Sequence, residues 1–227
     1  IGRELTTEMT APPDHEAAGP SPRRLFVYNG GFLTQPRVRR ILTLAGWQVS
    51  LGAPGPEDWV GTWGKSPTAP RGEAVAGLRD APLLRVEDSF LRSVRTGREG
   101  DAPIGLNLDT RGVHFDSSKP SDLEHLLATH ALDDTALLDR ARAAIDRLQS
   151  AHLSKDIAFD PEDAVPKAPY VLVIDQTRGD ASITFGGANE ATFKEMLVFA
   201  RTEHPGTRVV IKAHPETLAG QRPGHFS

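Results

Sequence analysis

Arg24-Leu25-Phe26-Val27-Tyr28, then Asn29-Gly30-Gly31, then Val38, Ile41, Leu42 and Ala45 at helical spacing, then Gly46, then Trp47-Gln48-Val49-Ser50-Leu51: this stretch decides the fold. The first run is rich in β-branched and aromatic residues and ends in a glycine turn, as a strand does. The apolar positions that follow recur at the helical period, and Gly46 stands where a helix C-cap favours glycine. The last run is a second strand. Strand, short turn, helix, glycine, strand is the pattern of two parallel strands joined by a crossover helix.

Working outward, the same logic returns in looser form. Leu83-Leu84-Arg85-Val86 is a short strand that delivers Glu87-Asp88 into a turn. Leu106-Asn107-Leu108-Asp109 and Gly112-Val113-His114-Phe115-Asp116 read as a hairpin or two edge strands. Ser121 with Glu124 three residues later forms a capping box that opens a helix. Residues 133–154 predict a long amphipathic helix with Leu137, Leu138, Ala141, Ile145 and Leu148 on one face. Residues 160–169, with three prolines and mixed charges, read as a linker. Beyond them Tyr170-Val171-Leu172-Val173-Ile174 is a continuous apolar run of the kind buried in a parallel sheet. A helix over about 190–203 and a strand Arg208-Val209-Val210-Ile211-Lys212 complete one more unit.

Residues 1–22 are polar, carry no apolar periodicity and predict a flexible leader. The expected organisation is therefore a leader over 1–22, a first α/β module over 23–159, a linker over 160–169, and the start of a second α/β module over 170–227. Two Rossmann-like modules with parallel sheets, the second cut short, make a GT-B-like arrangement. The chain opens on Ile1 and ends at Ser227 soon after a strand, which reads as a piece of a longer protein.

Composition narrows the function classes. The 227 residues carry 26 Lys and Arg against 30 Asp and Glu, a formal net charge of −4. That balance lacks the basic excess of nucleic-acid binders. No cysteine is present, so disulfide frameworks and cysteine-ligated metal sites are excluded. No apolar run approaches the roughly 20 residues of a membrane span, and no secretory signal is evident. The cytoplasm is the expected compartment, with peripheral contact at the inner membrane left open.

Three clusters lie just beyond strand ends, where α/β sheets place ligands. Glu87-Asp88, with Arg92 following, supplies paired carboxylates for acid–base work, although acids there also suit a helix N-terminus. Asp175-Gln176-Thr177-Arg178-Gly179-Asp180-Ala181-Ser182 presents Asp180 after a glycine, as a nucleophile or base or simply as a turn residue. Lys212-Ala213-His214-Pro215-Glu216 puts an imidazole beside a lysine, suited to phosphate oxygens, while a lone His is often structural. Asn29-Gly30-Gly31 is not a dinucleotide fingerprint, and His114 with Asp116 is too little for a metal site. Trp47, Trp59 and Trp63 are better read as core than as a sugar platform.

Several motifs occur in one order: Phe26 to Phe32, Val86-Glu87-Asp88-Ser89-Phe90-Leu91-Arg92-Ser93, Gly112 to Asp116, Pro120 to Glu124, Gln176 to Ser182, and Lys212 to Pro215. In that order they resemble the bacterial capsule polysaccharide synthesis and export proteins of the KpsC/LipA type. The resemblance implies a retaining β-Kdo glycosyltransferase that draws on CMP-Kdo, extends a lipid-linked acceptor of phosphatidylglycerol and Kdo, feeds the capsule export machinery, and uses no cofactor or metal. It further implies Asp180 as the nucleophile, Glu87 as acid/base, and His214 on the CMP phosphate, with Lys212, Gln176, Ser182, Asp88 and Arg92 lining the substrate sites. A segment of such a protein is expected to lack independent activity. The alternatives are a non-catalytic component that binds or scaffolds polysaccharide for export, and a different nucleotide-handling α/β enzyme that shares only the architecture.

Overall fold

The computed structural model describes residues 21–95, 97, 100–153 and 165–226. The expected leader, except for its last two residues, and residues 160–164 of the expected linker lie outside them.

The 24–51 stretch folds as read. β1 (Arg23–Val27) leads through α1 (Gly31–Thr34) and α2 (Pro36–Leu44) into β2 (Trp47–Ser50), with β1 and β2 parallel. Pro36 at the start of α2 needs no amide partner there, and Gly46 turns the chain at φ 81°. Val38 and Leu42 bury one face of α2 against Leu25, Val27 and Trp47.

The sequence reading missed the next unit. β3 (Trp59–Trp63) and α3 (Ala69–Arg79) insert between β2 and β4 (Leu83–Asp88). Gly61, Gly72 and Gly77 hid them, because glycine lowers both strand and helix propensity. Close packing requires two of these glycines. A Cβ on Gly61 would lie 3.0 Å from Leu25 Cγ, and one on Gly72 would lie 2.7 Å from Thr62 Cγ2. The helix thus lies almost directly on the sheet.

The first sheet runs β2-β1-β3-β4-β5, parallel except for the antiparallel edge strand β5 (Leu106–Asp109). Its core is Leu25, Val27, Phe32, Val38, Leu42, Trp47, Leu84 and Val86. The tryptophans belong to this core or its margin: Trp47 packs edge-on against Trp59 at 5.2 Å, and Trp63 against Phe32 at 5.8 Å. Residues 112–116 form a turn, not the strand expected of them. The Asp109 carboxylate, which accepts from the Arg111 and Gly112 amides, bends the chain away from the sheet immediately after β5. The capping box at Ser121 and Glu124 opens α4 (Asp122–Thr129), and α5 (Thr135–Ser150) follows with no buried residue.

In the second unit β6 (Tyr170–Ile174) and β7 (Arg208–Lys212) pair in parallel through α6 (Ala181–Phe185) and α7 (Glu190–Glu203), and α8 (Pro215–Leu218) follows. The apolar run of β6 was expected to be buried, but only Val173 is. Leu172 and Ile174 remain 47% and 62% exposed, because among the described residues the sheet has two strands and offers those side chains no covering layer. The two units meet where the Ser117 amide and hydroxyl both donate to the Phe185 carbonyl at 2.9 and 3.1 Å.

Candidate functional site

Register places Ile174 opposite Lys212, so the loops leaving β6 and β7 emerge side by side. After β6, Gly179 at φ 72° reverses the chain and delivers Asp180 as the N-cap of α6. Asp180 Oδ1 accepts from the Ser182 amide at 3.0 Å and the Ser182 hydroxyl at 2.7 Å. Those bonds orient the carboxylate and turn Oδ2 toward Arg222 Nη1, 3.7 Å away. Asp180 therefore caps α6, with Oδ1 engaged by Ser182 and Oδ2 facing Arg222.

After β7, Pro215 prevents helix at His214 and makes that residue the N-cap of α8. His214 Nδ1 accepts from the Glu216 amide at 3.1 Å. In the neutral ring the proton must then sit on Nε2, which becomes a donor. Glu216 Oε2 lies 3.3 Å from Arg222 Nη1, and Arg222 Nη2 donates to the Arg178 carbonyl at 3.0 Å. One network thus joins His214 to Asp180 through Glu216 and Arg222. Arg222 was not singled out from the sequence, since Gly220-Gln221-Arg222-Pro223 has no periodicity to mark it, and Glu216 stood only as the last residue of the segment after β7.

Behind the network a buried carboxylate anchors the loops. Asp175 is 4% exposed and accepts from the amides of Gln176, His225 and Phe226. Arg178 ties the same segment down, its amide donating to the Pro223 carbonyl and its Nε to the Gly224 carbonyl. His225 stacks flat on Phe193 at 3.8 Å, with Nδ1 2.8 Å from the Gln176 carbonyl. The Gln176 side chain folds back, Oε1 accepting from the Thr177 amide at 2.8 Å. Lys212 is exposed at the end of β7, and its carbonyl accepts from the Asp175 amide.

The second cluster sits at the end of β4. Gly64, just after β3 at φ 37°, faces Glu87 so closely that the carboxylate occupies the space a Cβ would need. Gly64 is held on both sides, its amide donating to the Val86 carbonyl and its carbonyl accepting from Arg85 Nη1 at 2.9 Å. Arg85 is buried and pairs with Glu73 at 2.8 Å, so its charge serves the sheet–helix contact. Asp88 pairs with Arg92 at 2.9 Å, and Arg92 Nη1 donates to the Asp101 carbonyl at 2.7 Å. Asp88 and Arg92 brace the loop that leaves β4, while Glu87 points back over Gly64.

Asp116 sits at the seam between the units. Hydrogen bonds from Ser118, reinforced by Lys65 at 2.9 Å, hold its carboxyl far below the usual carboxylate range despite burial. Lys65 also lies 5.1 Å from the Phe185 ring. At the start of α7, Lys194 and Arg178 hold the Glu190 carboxyl below its ordinary value. Among the described residues no group of three or more His, Asp and Glu is placed to hold a metal ion. None of the helices there is long and apolar enough to cross a membrane.

A family model for capsule polysaccharide biosynthesis proteins matches residues 58–158 and 130–227. The chain belongs to this family. It is 32% identical over 215 residues to the capsule polysaccharide modification protein LipA of Neisseria meningitidis serogroup A, covering 90% of this chain and 30% of that protein. It is 38% identical over 146 residues to the lipopolysaccharide-processing protein LpsZ of Rhizobium meliloti, covering 62% of this chain and 33% of LpsZ. The chain thus spans about a third of the length of these relatives. Among solved structures it superposes on the β-Kdo 2,4 transferase of Thermosulfurimonas dismutans KpsC with a TM-score of 0.79 at 31% identity, over 92% of this chain and 65% of that one. The β-Kdo 2,7 transferase of the same KpsC matches with a TM-score of 0.59 at 22% identity, over 86% of this chain and 62% of that one, a likeness of fold. The KpsC/LipA-type assignment that the ordered motifs suggested therefore stands.

Proposed function

We propose that this capsule-family chain carries the donor-handling residues of a GT-B-type retaining β-Kdo transferase that uses CMP-Kdo. The observation that carries the reading is the Asp180 carboxylate, fixed by Ser182 through one oxygen at a strand end, in a chain that superposes on a β-Kdo 2,4 transferase at 31% identity. Retention requires two displacements, and each half has a group suited to it.

In the first, Asp180 Oδ2 attacks the anomeric carbon, the bond to the phosphate oxygen breaks, and CMP leaves with that electron pair. His214 donates from Nε2 to the phosphate, and Lys212 adds positive charge beside it. In the second, Glu87 takes the proton of an acceptor hydroxyl, whose oxygen displaces Asp180 and restores the original configuration. The acceptor is a lipid-linked Kdo or phosphatidylglycerol-based primer, and the site of action is the cytoplasmic face of the inner membrane. The product then passes to the capsule export machinery.

Incubation of the full-length protein that contains this chain with CMP-Kdo and a Kdo-primed lipid tests this. A β-linked product lost in both Asp180→Ala and Glu87→Gln supports the reading. Unchanged transfer in those variants would favour a scaffold that only binds polysaccharide.

A further inference from the structure

The transferase reading leaves one chemical problem open. In a keto-acid sugar such as Kdo the carbon under attack itself bears a carboxylate, so a carboxylate nucleophile approaches a like charge. A cation in contact with the nucleophile and open to the sugar resolves that conflict. We infer that Arg222 is this group: a specificity-determining residue that receives the donor's carboxylate beside Asp180. The inference rests on the transferase reading and extends it to the choice of sugar.

The geometry supports Arg222 over its neighbours. Its Nη1 lies 3.7 Å from Asp180 Oδ2, the oxygen that Ser182 does not engage. Glu216 at 3.3 Å and the Arg178 carbonyl at 3.0 Å fix the plane of the guanidinium without consuming its Nε–H. The side chain is 23% exposed, so it is rigid yet reachable from the site. Arg178, the other nearby arginine, turns away: its Nε donates to the Gly224 carbonyl and its Nη2 lies 3.7 Å from Glu190. The distance to Asp180 is longer than a direct hydrogen bond, which leaves room for the guanidinium to serve both anions. A planar fork suits a carboxylate better than an ammonium does.

The test is calorimetric titration of the full chain with CMP, with CMP-Kdo, and with CMP-Kdo whose carboxylate has been reduced to the alcohol. The unaltered chain is expected to bind CMP-Kdo more tightly than the alcohol analogue. Arg222→Gln is expected to lose roughly 10- to 100-fold in affinity for CMP-Kdo, the size of one charge-assisted hydrogen bond, while holding CMP within about twofold. Arg222→Lys should fall between. Equal loss for all three ligands would assign Arg222 a merely structural role and overturn the inference, as would an Arg222→Gln variant that binds CMP-Kdo normally. Should that variant fail to fold, the alcohol analogue on the unaltered chain decides alone, and equal affinity for the two sugars refutes the inference. If the unaltered chain bound neither CMP nor CMP-Kdo, the transferase reading itself would fall first.

Discussion

Gly64→Ala isolates the role of Glu87 without touching a titratable group. Gly64 sits at φ 37°, and a Cβ there would fall inside the Glu87 carboxylate, with Glu87 Cδ only 2.6 Å away. The backbone cannot retreat, because β4 grips it through the Val86 carbonyl and the Arg85 guanidinium. Two costs follow. Left-handed backbone strain for a side chain is about 1 to 2 kcal/mol. Displacement of the Glu87 carboxylate adds about 1 kcal/mol for its lost contacts, so denaturant unfolding is expected to show a loss of about 2 to 3 kcal/mol. If Glu87 is the acid/base group, its shift should lower the rate of Kdo transfer by roughly 10²-fold or more. Gly179→Ala is the matched control. It carries φ 72° with nothing within 4 Å of the added Cβ, so strain of about 1 kcal/mol should appear without steric displacement of Asp180. A Gly64→Ala protein that loses stability as expected yet transfers Kdo at the parental rate would refute the placement of Glu87 in the chemistry.

The other predictions concern the anchors and the imidazole. Gly224→Ala would drive a Cβ into Asp175 Oδ2 and to 3.2 Å from Thr217 Cγ2, so it should cost about 2 to 3 kcal/mol and expose the Gln176–Arg178 amides to hydrogen exchange. Asp116→Asn should lower stability at pH 7 by about 2 kcal/mol, read by chemical denaturation. Because the folded carboxyl is held below its unfolded value, its contribution is complete above the ordinary carboxylate range and is lost as the pH falls below about 4. The difference between Asp116→Asn and the parent should therefore shrink in acid, and a difference independent of pH would contradict the Ser118 and Lys65 account. His214→Asn keeps an N-cap residue for α8 but removes the Nε2–H, so CMP affinity should fall about 5- to 10-fold in calorimetry while stability stays within about 0.5 kcal/mol.

How far the sequence carried depends on which interactions are local. The crossover over residues 24–51, the capping box at Ser121 and the helix Glu190–Glu203 rest on periodicity and end signals within one segment, and each formed as read. β3 and α3 escaped because Gly61 and Gly72 answer to tight packing between elements, which no single-segment pattern records. Gly112 to Asp116 looked like a strand by composition, but the Asp109 carboxylate captures the following amides and makes a turn. In the site, Asp180, Ser182 and His214 stood at strand ends and were legible there. Arg222 was not, and Asp175 and Glu216 stood in quoted segments without a role, since the anchoring arises when the segment around 222–226 returns across 44 or more residues to the loop after β6. The exposed face of β6 shows the same limit: a run of five apolar residues says nothing about how many strands flank it.

The most direct test of the central claim is mass spectrometry of the full-length protein that contains this chain, after brief exposure to CMP-Kdo without acceptor. A covalent Kdo residue on the peptide containing Asp180, absent from Asp180→Asn and discharged when the lipid acceptor is added, is the predicted result. No adduct, or an adduct on another residue with transfer intact in Asp180→Asn, would contradict it.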